Sequence, residues 1–159
     1  MPDAVKLVND HDTWAHNMVN SIAFNYGIGM EDTKPTARIW FDLFRETKLK
    51  NVIENGKAAE RYAESEKATY RENFGYESEL DGIRCYVVNR ATNSVIYGNK
   101  YDEYPLVVSW VFNGEYYKYS LFSGDKSINC EEIAGRHGGG GHRGAAGFKS
   151  DQLLVKKEC

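Results

Sequence analysis

Long apolar runs are missing from this chain of 159 residues, and nothing in it approaches the roughly 20 consecutive apolar residues that span a bilayer. No membrane partner is expected. Residues 1–20 also lack a signal-peptide pattern, so the expected location is cytoplasmic. Cysteine is scarce: Cys85, Cys130 and Cys159 stand far apart and form no paired metal spacing. They read as buried or incidental thiols, with Cys159 exposed at the terminus. Positive charge is not in excess, since 20 Lys and Arg against 23 Asp and Glu leave a formal charge of −3. That balance excludes a protein that coats long duplex DNA by neutralising phosphates. Any nucleic-acid partner should be short or held locally.

What remains is an ordinary globular composition, 42% hydrophobic and 27% charged, with length for one moderate core or a small domain behind an ordered leader. The most informative stretch is Gly138-Gly139-Gly140-Gly141-His142-Arg143, followed by Ala145-Ala146-Gly147-Phe148. Four glycines leave backbone N–H groups with no side chain over them, so an anion can come close. His142 and Arg143 add donors beside that cradle. Upstream, Asn129 as N-cap with Glu132 at N3 predicts a helix through Arg136 that Gly138 ends. Downstream, the small and apolar residues through Phe148 suit a segment entering a core. A ligand-binding loop between two ordered elements fits better than a linker, and the plain alternative is a turn chosen for positive φ. A P-loop is excluded, because no Lys-Ser or Lys-Thr follows the run.

Three zones organise the chain. In the first, Val5-Lys6-Leu7-Val8 alternates and predicts a strand that delivers Asp10-His11-Asp12-Thr13-Trp14 at its carboxyl end. Two carboxylates and an imidazole suit a hard cation or Mn²⁺, while a turn or helix cap is the plainer account. In the second, Ile39, Trp40, Leu43 and Phe44 predict an amphipathic helix after Pro35, and residues 56–68 are rich in helix formers with charges on a solvated face. The third holds apolar, β-rich runs at 83–88, 106–112 and 116–122, the last two flanking the hairpin signal Asn113-Gly114. Residues 94–102 are ambiguous between helix and strand. The expected fold there is a small mixed α/β sheet with flanking helices. Tyr117, Tyr119 and Phe122 are open to base stacking, whereas Tyr116 reads as filling a half-buried strand face.

The string from Ile133 to Phe148 resembles the signature that closes the DHHA1 domain, the substrate-binding half of DHH-superfamily phosphoesterases. The Asp-x-Asp-Thr-Trp segment resembles, more thinly, the last metal-ligand motif of the catalytic domain in the oligoribonuclease-like branch. The resemblance implies residues 1–35 as a remnant of a DHH catalytic domain, 36–74 as a helical linker and 75–159 as the DHHA1 domain. It implies a phosphate grip at Gly138, Gly139, Gly140, Gly141, His142 and Arg143, and a metal role on Asp10, with Asp12 as the alternate. Where the family commonly has an arginine after Ser120-Leu121, Phe122 stands here, and Arg143 or Arg136 are the substitutes. Neither the early Asp-His-Asp motif nor the Asp-His-His motif of a complete enzyme precedes Asp10, and although Asp10-His11-Asp12 superficially reads as the first of them, no Asp-His-His follows it. The implied activity is that of the substrate-binding half of a Mn²⁺-dependent phosphodiesterase or exonuclease, inactive alone. Its partners would be short RNA, single-stranded DNA or a nucleotide phosphodiester, a separate DHH catalytic half, and a second copy docked around Trp14 and Trp40. The alternatives are a non-catalytic RNA or single-strand binding module and a decayed fragment.

Overall fold

The computed structural model describes residues 2–157, so Cys159 lies outside the described residues. The chain divides into two compact units, Met1–Glu66 and Lys67–Cys159, and the division falls inside one long helix.

The amino-terminal unit contains helices α1 (Asp3–Asp12), α2 (Ser21–Ile28), α3 (Ile39–Asp42) and the first part of α4 (Glu46–Phe74). Helix α1 replaces the strand expected over Val5–Val8. Ala4 and Leu7 are buried and Val8 partly so, while Val5 is exposed, an i, i+3, i+4 stripe that only a helix turns to one side. Pro2 precedes it and Asp3 sits favourably in its first turn. Ala4 and Leu7 pack with Phe24, Ile28, Ile39, Leu43 and Val52. The amphipathic helix expected after Pro35 is a single turn. Its end tightens into i→i+3 bonds, Phe44 N–H to Phe41 and Arg45 N–H to Asp42, before α4 begins. Ile39 and Leu43 are buried there, but Phe41 and Phe44 remain exposed. Helix α4 runs 29 residues and carries its charges outward in pairs such as Lys50–Glu46 and Lys57–Glu54.

The carboxy-terminal unit is mixed α/β. Its strands are β1 (Gly75–Leu80), β2 (Ile83–Val88), β3 (Leu106–Phe112), β4 (Tyr117–Phe122), β5 (Gly140–His142) and β6 (Ala145–Ser150). They form one sheet in the order β1-β2-β3-β4-β6-β5, antiparallel except for the β2–β3 pair. The parallel pair needs a crossover. A 3₁₀ turn (Ser94–Tyr97) and α5 (Lys100–Glu103) supply it, which resolves the ambiguous stretch as helical. The β3–β4 hairpin forms as expected. Only Gly114 takes positive φ, at 100°, and Asn113 Oδ1 accepts the amides of Glu115 and Tyr116 to shape a longer loop.

Helix α6 (Cys130–Arg136) opens as read: Asn129 Oδ1 accepts the Glu131 amide at 3.2 Å, and the Asn129 side-chain amide donates to Glu132 at 2.7 Å. It packs on the sheet face that bears Cys85, Val87, Leu106, Val108, Tyr119, Leu121 and Phe148. On the opposite face Tyr86, Val88, Tyr97, Tyr104 and Val107 cluster beneath the crossover. Lys118, Gly140, His142, Ala145 and Lys149 stay exposed, so β4, β6 and β5 present an open surface on that side. Cys85 and Cys130 are the buried thiols the sequence implied. Burial pushes them up to about 12 and about 11, which keeps both protonated at neutral pH.

Candidate functional site

The glycine run is an edge strand rather than a free loop. His137 closes α6, Gly138 turns the chain at φ 73°, and the Gly139 amide donates back to the Ala134 carbonyl at 2.8 Å. Gly140–His142 then pairs antiparallel with Ala145–Gly147. Side chains are excluded at two of these positions by contact. A Cβ on Gly139 would stand 2.2 Å from the Gly147 carbonyl oxygen, and one on Gly141, whose φ is 151°, would stand 2.6 Å from the Ala146 Cα. Gly140 differs: a Cβ there would meet nothing within 4 Å, and its φ is ordinary. The fold demands three of the four glycines and leaves the fourth unexplained.

Gly140 borders a groove of about 460 Å³ on the open sheet face, walled by Gly147, Ser120, Phe122, Lys118 and Lys149. That volume lies in the range of small-molecule sites. His142 follows Gly140 by two residues, so it shares that face, opposite Ala145. Arg143 has a different position. Its Nη2 donates to the Lys126 carbonyl at 2.5 Å and its own carbonyl accepts the Cys130 amide at 2.8 Å, bracing the β5–β6 turn against the start of α6. Arg136, the other proposed substitute for the missing arginine, is paired with Asp81 at 3.0 Å.

The aromatic residues divide by face. Tyr119 is fully buried, stacked on Phe148 at 4.6 Å, its hydroxyl accepting the Leu154 amide at 2.8 Å. Tyr117 packs against Trp110 and Phe112. The rings of Tyr117 and Tyr119 pack into the core face, which corrects the stacking role considered for them, whereas Phe122 lies on the groove side of β4 and lines the groove. Tyr116 is half-buried, as read, and carries the Lys149 ammonium 4.4 Å over its ring. Behind the floor, Phe148 also stacks on His137 at 4.4 Å, and the His137 imidazole contacts the Asp81 carboxylate at 3.0 Å.

In the amino-terminal unit, Asp10 and Asp12 lie in the last turn of α1, not at the end of a strand. Two positions apart on a helix, they point away from each other: Asp10 is buried and Asp12 exposed. They cannot grip one ion together. Asp10 instead accepts the Asn17 amide at 2.9 Å and the Met18 amide at 3.2 Å, fixing a turn in which Trp14, His16 and Asn20 all take positive φ. Among the described residues no three His, Cys, Asp or Glu side chains gather as a metal set. The described residues therefore do not assemble a metal centre by themselves. Trp14 is exposed, whereas Trp40 is half-buried with its Nε1 donating to the Lys34 carbonyl.

Burial opposes ionisation of Asp10, but hydrogen bonds from Ser21, Met18 and Asn17 outweigh it and hold the carboxyl below its ordinary range. A depressed carboxyl contributes stability above its unfolded pKa, and that contribution disappears as pH falls through the folded value. Asp10→Asn is therefore expected to destabilise this unit at neutral pH and to narrow its gap from the parent at about pH 3. Urea midpoints at both pH values check this; a constant gap would remove the role assigned to the ionised carboxylate.

Lys118 and Lys149 were missed in the sequence, although their signal was there: Lys118 alternates with Tyr117 and Tyr119 and so had to face the other way. No protein-family model matches the chain, and no curated protein does. Solved structures do. A structure of an uncharacterized protein from Helicobacter pylori G27 aligns at a TM-score of 0.45 with 15% identity, over 96% of this chain and 55% of that one. PggH, a pGpG-specific phosphodiesterase from Vibrio cholerae, aligns at a TM-score of 0.59 with 12% identity, over 92% of this chain. This chain spans 61% of the length of PggH, and over that span it shares the fold of that structure.

Proposed function

We propose that this chain is the substrate-binding part of a phosphodiesterase acting on short oligonucleotides or nucleotide phosphodiesters, with the substrate's terminal phosphate held beside Gly140 and His142. Gly140 carries the reading, because its missing side chain opens a groove and serves no backbone need. The likeness to a phosphodiesterase specific for pGpG supports it as fold. Amides along the free edge of β5 would meet phosphate oxygens, His142 would add a side-chain donor, and Phe122 would pack against a base. Binding in this way fixes where a phosphodiester bond lies, which is what a catalytic centre requires of its substrate-holding partner.

Hydrolysis in this reading uses divalent ions such as Mn²⁺, whose ligands the described residues of this chain do not assemble. The purified chain is expected to bind without cleaving. Mn²⁺-dependent release of mononucleotides from a short RNA, lost in Asp10→Ala, would overturn that. For binding, the measurement is calorimetric titration with a 5′-phosphorylated RNA dinucleotide. His142→Ala is expected to weaken it about tenfold, the value of one good polar contact, and Gly140→Val to remove it by filling the groove. Parent-like affinity in Gly140→Val would sink the proposal. Equal affinity for the unphosphorylated dinucleotide would favour a single-strand binding module with no phosphate grip.

A further inference from the structure

Lys118 on β4 and Lys149 on β6 are direct cross-strand partners. Both are exposed, both lie on the open face, and both wall the groove beside Gly140. Like charges placed directly opposite on a sheet repel. Among the described residues no carboxylate pairs with either ammonium, and Lys149 is held to this face by the Tyr116 ring. Lys118 and Ser120 also border an adjoining recess of about 110 Å³ that Arg90, Thr92 and Ser109 complete. Cationic and hydroxyl side chains thus continue from the glycine strand across β6 and β4 to β3.

Strand geometry sets the scale. Gly140 pairs with Gly147, so Lys149 lies one strand over and two residues along, about 8 Å between Cα atoms. That is the scale of one nucleotide step. Resting on the terminal-phosphate reading above, we infer that Lys118 and Lys149 form a second anion subsite, which takes the internucleotide phosphate of a ligand whose terminal phosphate sits at Gly140 and His142. The ligand class is then a 5′-phosphorylated dinucleotide or longer strand, and a mononucleotide fills only part of the site. An anion between the two ammonium groups converts their repulsion into two charge-assisted contacts.

The test titrates the whole chain with a 5′-phosphorylated mononucleotide and a 5′-phosphorylated dinucleotide at several salt concentrations. Lys118→Met with Lys149→Met, at exposed positions, is expected to weaken the dinucleotide at least about tenfold. Its salt slope should fall by about 0.7, the change for one phosphate contact on a single strand. Mononucleotide affinity should stay at the parent value. If the double variant binds the dinucleotide like the parent while Gly140→Val does not bind, the lysine subsite is wrong and the terminal grip stands. Equal losses for both ligands would put the lysines at the terminal phosphate and overturn the second subsite. A parent chain that binds neither ligand overturns both readings.

Discussion

Gly56→Ala is expected to unfold the amino-terminal unit or lower its midpoint by about 12 °C or more. Where α4 crosses α2, the backbones touch: a Cβ on Gly56 would stand 1.7 Å from the Ala23 carbonyl oxygen, and one on Gly27 would stand 2.0 Å from that of Val52. Neither obstacle is a side chain that can rotate away. A methyl group must push the helices apart along the crossing, loosening Phe24, Ile28 and Val52, at a cost of about 3 kcal/mol or more. Helix propensity argues the other way, since alanine in a helix interior gains roughly 0.5–1 kcal/mol over glycine. The sign of the measured change therefore decides. Thermal melts with amide exchange to locate the weakened region would settle it, and a stabilised variant would mean the helices cross further apart than described.

Gly139→Ala and Gly140→Ala should behave as opposites although they are neighbours. The first drives a methyl group against the Gly147 carbonyl and the Phe148 backbone, at distances of 2.2 and 2.8 Å, and should cost about 2–3 kcal/mol by prying β5 and the end of α6 from β6. The second places its methyl group in open space and should change stability by no more than about 0.5 kcal/mol. Chemical denaturation of the two variants measures this directly. The reverse order would mean that Gly140, not Gly139, is the buried contact, and the groove beside it would lose its reason.

The pattern of what could be read from the sequence has physical causes. Helix α6 was legible to the residue because its signals are chemical and local: a capping asparagine, a glutamate three positions on, and a glycine at the far end. Strands β2, β3 and β4 were legible because branched and aromatic residues fill them. β1 was not, since Glu77 and Glu79 point outward between Tyr76, Ser78 and Leu80, and its acidic half resembles the helix before it. β5 has no side-chain period at all: its extended form comes from pairing with Ala145–Gly147, a tertiary fact. At the amino terminus, Val5-Lys6-Leu7-Val8 satisfies both a two-residue and a 3.6-residue period, and only packing against Phe24 and Val52 selects the helix. The site divides likewise. Gly140 and His142, read as part of a phosphate grip, lie exposed on the open face, whereas the side chains of Arg143 and Asp10 bond to the backbone around them.

Residues 152–156 form no strand, yet they seal the core face of the sheet. Val155 is fully buried, its carbonyl accepts the Tyr76 hydroxyl at 3.0 Å, the Lys156 carbonyl accepts the Ser78 hydroxyl at 2.8 Å, and Tyr119 holds Leu154. During synthesis the amino-terminal elements emerge first. The carboxy-terminal core would then have all six strands available while its apolar floor was still wet, and would close only when these five residues arrived. A chain cut after Ser150 would keep α6 and all six strands but leave Tyr76, Ser78 and Tyr119 without the backbone partners that close this face.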